Sequence, residues 1–81
     1  MARVLMFGRL ADTAGWRERN FADAPATLFA LQALLAEENP ALGAALAGKG
    51  VQVAVERTIV RGDVALAAGV EVAFLAPMSG G

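Results

Sequence analysis

Short segments in which every second residue is apolar occur near both ends of the chain, and this period of two is typical of half-buried strands. Val51, Val53 and Val55, for example, share one face of a single segment. Residues 12–15 have the composition of a turn, so we expect the two segments around them to form a hairpin. From these patterns we predict five strands, at residues 3–7, 16–21, 51–55, 58–60 and 71–75.

The middle of the chain changes to the spacing of a helix. The apolar positions that carry this spacing are leucines, at residues 28, 31, 34 and 35. Thr27 is placed to cap the helix at its start, and Asn39-Pro40 ends it. Leu42 and Leu46 are four residues apart in an alanine-rich stretch. They predict a second, short helix that ends by Gly48.

This order of elements predicts an α+β domain of the β-grasp type. A hairpin is followed by a helix and then by further strands, which gives a mixed sheet of about five strands. One main helix and a short second helix then cover a single face of the sheet. We assign the domain to residues 1–75. Pro77 lacks an N–H and two glycines follow it, so we expect residues 76–81 to form a flexible C-terminal tail.

The face of the sheet that turns away from the helix is predicted to be unusually apolar. Alternation places Val4, Val53 and Val72 toward the helix, which leaves the intervening positions outward. Three outward positions carry large apolar side chains instead of polar ones, namely Phe7, Ile59 and Leu75. An apolar patch on an open sheet face usually marks a partner site. We therefore predict a protein interface at these three residues.

Composition narrows the chemistry that the domain can perform. The chain has 81 residues, 19% of them charged, and a net charge of −1, which provides no basic surface for nucleic acid or an anionic membrane. It contains no cysteine, histidine or tyrosine. This composition excludes the usual zinc and iron–sulfur ligands and the catalytic chemistry of cysteine and histidine. No apolar stretch is long enough to cross a membrane. We expect a soluble cytoplasmic protein without a bound cofactor or metal, whose chemistry partners supply.

Four stretches of the sequence resemble the small subunits of molybdopterin synthase, which are ubiquitin-like sulfur carriers. The resemblance extends over nearly the whole chain. No single stretch is decisive, but a terminal Gly-Gly that follows a strand and a proline is a specific combination. The matching stretches are Val4–Gly8 with the adjoining Leu10–Asp12, Val53–Val60, Leu66–Phe74 and Leu75–Gly81.

The resemblance implies a function for the C-terminus. The α-carboxylate of Gly81 would be adenylated by a partner enzyme that uses ATP, and a sulfur donor would convert it to a thiocarboxylate. The thiocarboxylate would then give its sulfur to a pterin precursor bound by the large subunit of a heterotetrameric synthase. Pro77, Met78, Ser79 and Gly80 would thread the partner's active site, where glycine's lack of a Cβ fits a narrow channel. The carrier would not be an enzyme on its own.

Three alternatives remain open at this point. A carrier of the thiamine pathway, or of another pathway, would use the same tail with a different sulfur acceptor. A ubiquitin-like modifier would join Gly81 to a protein lysine through an isopeptide bond. A plain β-grasp interaction module would need no intact C-terminus.

Overall fold

Eight elements of secondary structure make up residues 1–77, the part of the chain that the computed structural model of the protein describes. Five are strands and three are helices. In chain order they are β1 (Ala2–Phe7), α1 (Arg9–Ala14), β2 (Glu18–Phe21), α2 (Leu28–Glu38), α3 (Pro40–Leu46), β3 (Gln52–Val55), β4 (Thr58–Val60) and β5 (Val70–Leu75).

The strands form one mixed sheet in the order β2-β1-β5-β3-β4. β1 and β5 are parallel neighbours at its centre, although they are the first and last strands of the chain. The other three pairs are antiparallel. A mixed sheet of five strands with helices on one face confirms the predicted β-grasp fold class.

The core lies between the sheet and the helices, and the alternation seen in the sequence builds it. Val4 faces Val72 and Met6 faces Phe74 in the parallel register, and all four are at most 2% exposed. The helices contribute Leu28, Leu31, Leu35, Leu42 and Leu46, which are the leucines of α2 and α3 in the buried cluster. The sequence pattern therefore identified both sides of the core.

One asparagine separates the two longer helices. Asn39 is at the same time the C-cap of α2 and the N-cap of α3. Its side-chain oxygen accepts a hydrogen bond from the N–H of Leu42 at 3.1 Å, and Pro40 occupies the first turn of α3, where its missing N–H costs nothing. Thr27 caps α2 by accepting from the N–H of Ala30 at 3.2 Å. These caps confirm the predicted helix boundaries.

The predicted turn between the first two strands is wrong, although the predicted pairing of these strands is correct. β1 and β2 do pair antiparallel, but helix α1 joins them instead of a turn at residues 12–15. Gly8 opens the helix at φ +64° and Gly15 closes it in the left-handed region at φ +84°. Leu10 is its buried residue. Six residues with one buried position are too few to show a helical period in the sequence.

A charged side chain fastens the edge strand β2 to the end of α2. Arg19 donates to both carboxylate oxygens of Glu38, at 2.7 and 3.2 Å, and its guanidinium lies 4.4 Å from the centre of the Phe21 ring. This hydrogen-bonded guanidinium lowers the pKa of Glu38 from its ordinary value. A guanidinium that lies over an aromatic ring and also pairs with both oxygens of a carboxylate makes a combination of contacts that lysine cannot.

The helices α2 and α3 approach closely because a glycine stands where they meet. A Cβ added to Gly43 would lie 2.4 Å from the Cβ of Ala36 and 2.8 Å from its Cα. Backbone atoms cannot move away as a flexible side chain can. A larger residue at position 43 therefore has to push the helices apart.

We predict that Gly43→Ala destabilises the fold. On helix propensity alone, replacing glycine by alanine would stabilise α3 by about 1 kcal/mol. Overpacking of a tight contact costs about 1–3 kcal/mol, so the expected net change is a loss of stability. Urea denaturation of the purified protein measures it.

The matched control is the double variant Gly43→Ala with Ala36→Gly, which removes the clashing methyl group from the other helix. It should recover part of the lost stability. A stabilising effect of the single variant would show that the helix contact is looser than described.

Candidate functional site

The C-terminal ends of the two central strands lie side by side at one end of the sheet. β1 and β5 run parallel, and their last residues, Phe7 and Leu75, are paired in register. Ala76 and Pro77 continue the chain directly from this point. Ala76 and Pro77 therefore follow a strand in the middle of the sheet and not an edge strand.

An apolar surface covers the outer face of the sheet next to the end of β5. Residues paired across strands point to the same face, and Phe7 with Leu75 makes one outward row. A second row crosses four strands from Leu5 through Ala73 and Ala54 to Ile59. We call these residues the outer patch: Leu5, Phe7, Ala54, Ile59, Ala73 and Leu75.

All three predicted interface residues lie on this face, two of them as neighbours and the third apart from them. Phe7 and Leu75 are direct neighbours, with Phe7 48% exposed and Leu75 half-buried. Ile59 is 46% exposed and lies on the edge strand, with the strand β3 between it and β5. Their role in binding a partner stays a prediction.

Small residues join the two places into one surface. Ala54 and Ala73 are 9% and 7% exposed, although they face outward, and they form a shallow floor between the larger side chains. Strand alternation also predicts that both alanines face outward, but the predicted interface consisted of Phe7, Ile59 and Leu75 alone. Their size was the available signal, because a small residue between two large apolar ones leaves a hollow that a partner side chain can fill.

An ionic row bounds the outer patch at the end of the sheet away from Leu75. Arg3 on β1 contacts Glu18 on β2 at 3.0 Å and Glu71 on β5 at 3.5 Å. The Glu56 carboxylate accepts a hydrogen bond from the N–H of Glu71 at 2.8 Å. Exposed ion pairs such as these add little stability. They do keep this half of the face hydrated, which confines the apolar surface to the half beside Leu75.

Two glycines make room for the residues that leave the sheet. A Cβ on Gly8 would lie 3.3 Å from the Cβ of Ala76, and a Cβ on Gly50 would lie 3.1 Å from the Cβ of Pro77. Both glycines have positive φ, +64° and +85°. Larger residues here would both strain the backbone and press on the departing chain.

Two positively charged side chains lie beside Ala76 and Pro77. Arg9 and Lys49 line a groove together with Pro77, and neither forms a salt bridge within residues 1–77. Met78, Ser79, Gly80 and Gly81, the remaining predicted tail residues, lie outside the described part of the chain, so their roles and the boundary after residue 75 stay predictions.

Within residues 1–77, no group of three or more acidic, histidine or cysteine side chains is placed to hold a metal ion. None of the helices in this part of the chain is long and apolar enough to span a membrane. What the described residues offer is an apolar surface next to the point where Ala76 and Pro77 follow the last strand.

Comparison with known proteins agrees with this arrangement. A model of the ThiS family matches residues 4–81 of the chain. No curated protein sequence gives a significant match.

The solved structures that share the fold include three of small archaeal modifier proteins. SAMP1 from Haloferax volcanii is 29% identical, with a TM-score of 0.83, and the alignment covers 99% of this chain and 98% of that one. A second structure of the H. volcanii small archaeal modifier protein 1 is 26% identical, with a TM-score of 0.79 and coverages of 95% and 97%. SAMP1 from Methanosarcina acetivorans is 20% identical, with a TM-score of 0.81 and coverages of 99% and 95%, and shows likeness of fold alone.

We predict that Phe7→Arg and Leu75→Arg each weaken binding to an adenylating partner enzyme while the isolated domain stays folded. An apolar anchor at an interface contributes about 2 kcal/mol or more, which corresponds to about thirtyfold in affinity. Outward residues contribute little to the core, so the domain should still unfold cooperatively. Titration calorimetry and thermal denaturation measure the two effects.

The matched control is Ala33→Arg, which adds the same charge at an exposed position of α2, behind the sheet. This variant should bind the enzyme like the wild type. Unchanged affinity of the Phe7 and Leu75 variants, or loss of their cooperative unfolding, would remove the outer patch as the docking site.

Proposed function

Because the chain belongs to the ThiS family, we propose that it is the sulfur-carrier subunit of a molybdopterin synthase. Ubiquitin-like carriers of this kind are not enzymes themselves. The observation that carries the proposal is that the family match extends through β5 to the terminal Gly80-Gly81. The outer patch, which adjoins the point where the chain leaves the sheet, supports it.

The chemistry starts from the Gly81 carboxylate, which is ionised at neutral pH and a poor electrophile. One carboxylate oxygen attacks the α-phosphorus of ATP on the activating enzyme, pyrophosphate leaves, and an acyl-adenylate forms. A hydrosulfide equivalent from the sulfur donor then attacks the acyl carbon, and AMP leaves. The product is a thiocarboxylate. After sulfur transfer to the pterin precursor, water supplies the oxygen that restores the carboxylate.

Docking and chemistry are divided between two parts of the chain in this proposal. The outer patch supplies affinity for the activating enzyme and then for the large subunit of the synthase. The residues after Leu75 supply the reacting group. Acyl-adenylates and thiocarboxylates hydrolyse, so the partner must close around the C-terminus and exclude water. Residues without a Cβ at positions 80 and 81 suit so narrow a channel.

A second candidate is a protein modifier. SAMP1 from H. volcanii, named a small archaeal modifier protein, is 29% identical over 99% of this chain. In that function the acyl-adenylate, or a thioester made from it, is attacked by the ε-amine of a protein lysine. The leaving group departs and an isopeptide bond forms. The first step, adenylation, is common to both candidates.

One experiment separates the two candidates. The protein is isolated from cells that produce its own activating enzyme, and the mass of the intact chain is measured. A carrier shows the mass increase of exchanging one oxygen for one sulfur at Gly81. A modifier shows adducts with other proteins. An isopeptide bond in such an adduct survives treatment with reducing agent and with hydroxylamine, whereas a thioester is cleaved. The partner that the protein captures identifies the sulfur acceptor. A large subunit of the synthase indicates the pterin precursor, and an enzyme of another pathway indicates a different acceptor.

We predict that deleting Gly81, or the variant Gly81→Val, abolishes adenylation-dependent sulfur transfer. Deletion moves the carboxylate back by about 3.3–3.6 Å along an extended chain. A misplacement of only about 1 Å can reduce a rate a hundredfold. The measurements are ATP–pyrophosphate exchange with the activating enzyme and dithiolene formation with the large subunit.

Thermal stability of the same variants serves as the control. The buried core cluster extends from Ala2 to Phe74, and a change at the chain end should cost no more than about 0.5 kcal/mol. Docking to the partners should largely survive. Near wild-type activity without Gly81 would overturn the carrier and modifier functions together and would favour the interaction module.

A further inference from the structure

The two edges of the sheet are protected to very different degrees. β2 at one edge carries Glu18 and Arg19, and both are engaged in ion pairs. β4 at the other edge is the uncharged tripeptide Thr58-Ile59-Val60. Exposed edge strands with no charge of their own are templates for pairing with another chain.

The geometry of the β3–β4 hairpin leaves the backbone of Ile59 free on the outer side. Glu56 and Arg57 form its two-residue turn, with φ of +51° and +66°, the pattern of a type I′ turn. Such a turn makes Val55 and Thr58 the hydrogen-bonded pair that closes the hairpin. Because hydrogen-bonded and non-hydrogen-bonded pairs alternate, the N–H and C=O of Ile59 point away from β3.

A groove lined by both apolar and polar side chains runs beneath this free edge, between α2 and the inner face of the sheet. Leu28, Val53 and Val60 line its inner part, and Phe29 lies on its helical side with 52% of its surface exposed. The groove encloses about 210 Å³. An added strand would place every second side chain into it, next to Val60.

Two arginines flank the free edge. Arg57 and Arg61 stand two residues before and two residues after Ile59, both are exposed, and neither forms an ion pair among the described residues 1–77. A second copy of this chain is a poor occupant, because antiparallel pairing about Ile59 would set Arg57 against Arg61 twice. Like charges opposite each other destabilise a strand pair. A strand with acidic residues at both positions is complementary.

We propose that β4 is a second docking site, which adds an extended acidic peptide segment of a partner protein to the sheet. The segment has three consecutive apolar residues flanked on both sides by aspartate or glutamate. Its backbone pairs with Ile59, alternate apolar side chains enter the groove beside Phe29, and its acidic ends meet Arg57 and Arg61. This mode of binding is strand addition, in which the backbone gives affinity and side chains give specificity. The site does not depend on the C-terminal carboxylate or on the proposed function.

The test uses the full chain and a fluorescein-labelled peptide of that pattern, aspartate-valine-leucine-valine-aspartate with short glycine-serine ends. Fluorescence anisotropy should show saturable binding that weakens as salt is added. Replacing both aspartates by lysine, or the central leucine by proline, should abolish it. Amide chemical shifts should change at residues 28–32 and 57–62. Deleting Gly81 should leave binding unchanged.

Protein variants test the assigned contacts. Arg57→Gln together with Arg61→Gln should weaken peptide binding at least tenfold. The matched control, Arg9→Gln with Arg17→Gln, removes two exposed arginines from elsewhere and should have no effect. Phe29→Ala should also weaken binding, with the thermal stability of the domain nearly unchanged.

Several results would overturn the proposal. These are no saturable binding of the peptide, equal binding by both double variants, or shift changes confined to β2 or to the outer patch. Arginine-dependent binding of a single-stranded oligonucleotide in place of the peptide would assign the site to nucleic acid instead. Self-association of the Arg57→Gln, Arg61→Gln variant without peptide binding would show that the two arginines serve only to keep the edge unpaired.

Discussion

The parallel pairing of β1 with β5 is the interaction on which the rest of the structure depends. It joins the two ends of the chain at the centre of the sheet, and β2 and β3 can only add on either side of it. Both strands present a fully buried row to the helices, with Val4, Val72 and Phe74 at 0% exposure. Parallel strands need a long connection between them, and here everything from α1 to β4 serves as that connection.

The same pairing determines how the two faces of the sheet differ. The inner face holds the core, and the outer face is divided by the Arg3 ionic row into a hydrated half and an apolar half. The apolar half adjoins the strand ends at Phe7 and Leu75. A carrier or modifier needs a binding surface that stays in place while its C-terminus enters another protein. In the function proposed above, this division assigns partner binding to the sheet and leaves the terminal residues to the partner's active site.

Most of the fold was predictable from the sequence because strand alternation and helix caps are local signals. Thr27 and Asn39-Pro40 set the helix boundaries as predicted, and the outward direction of Phe7 and Leu75 followed from the period of two. Helix α1 was not predicted, because a six-residue helix with one buried leucine shows no helical spacing of apolar residues in the sequence. The closeness of Phe7 to Leu75 depended on recognising the fold, since parallel register between distant strands leaves no local mark. Gly43 was unremarkable in the sequence because its partner, Ala36, belongs to another helix.

The central position of β5 also has a mechanical meaning. A partner that draws the C-terminus into its channel pulls along the axis of this strand. β5 is hydrogen-bonded on both sides, to β1 and to β3, so the ladders on its two flanks carry the load together in shear and do not open one bond at a time. Resistance to such pulling is set by the rate of unfolding and not by equilibrium stability. A domain of modest size can therefore bear traction at its C-terminus and still be folded when the partner releases it.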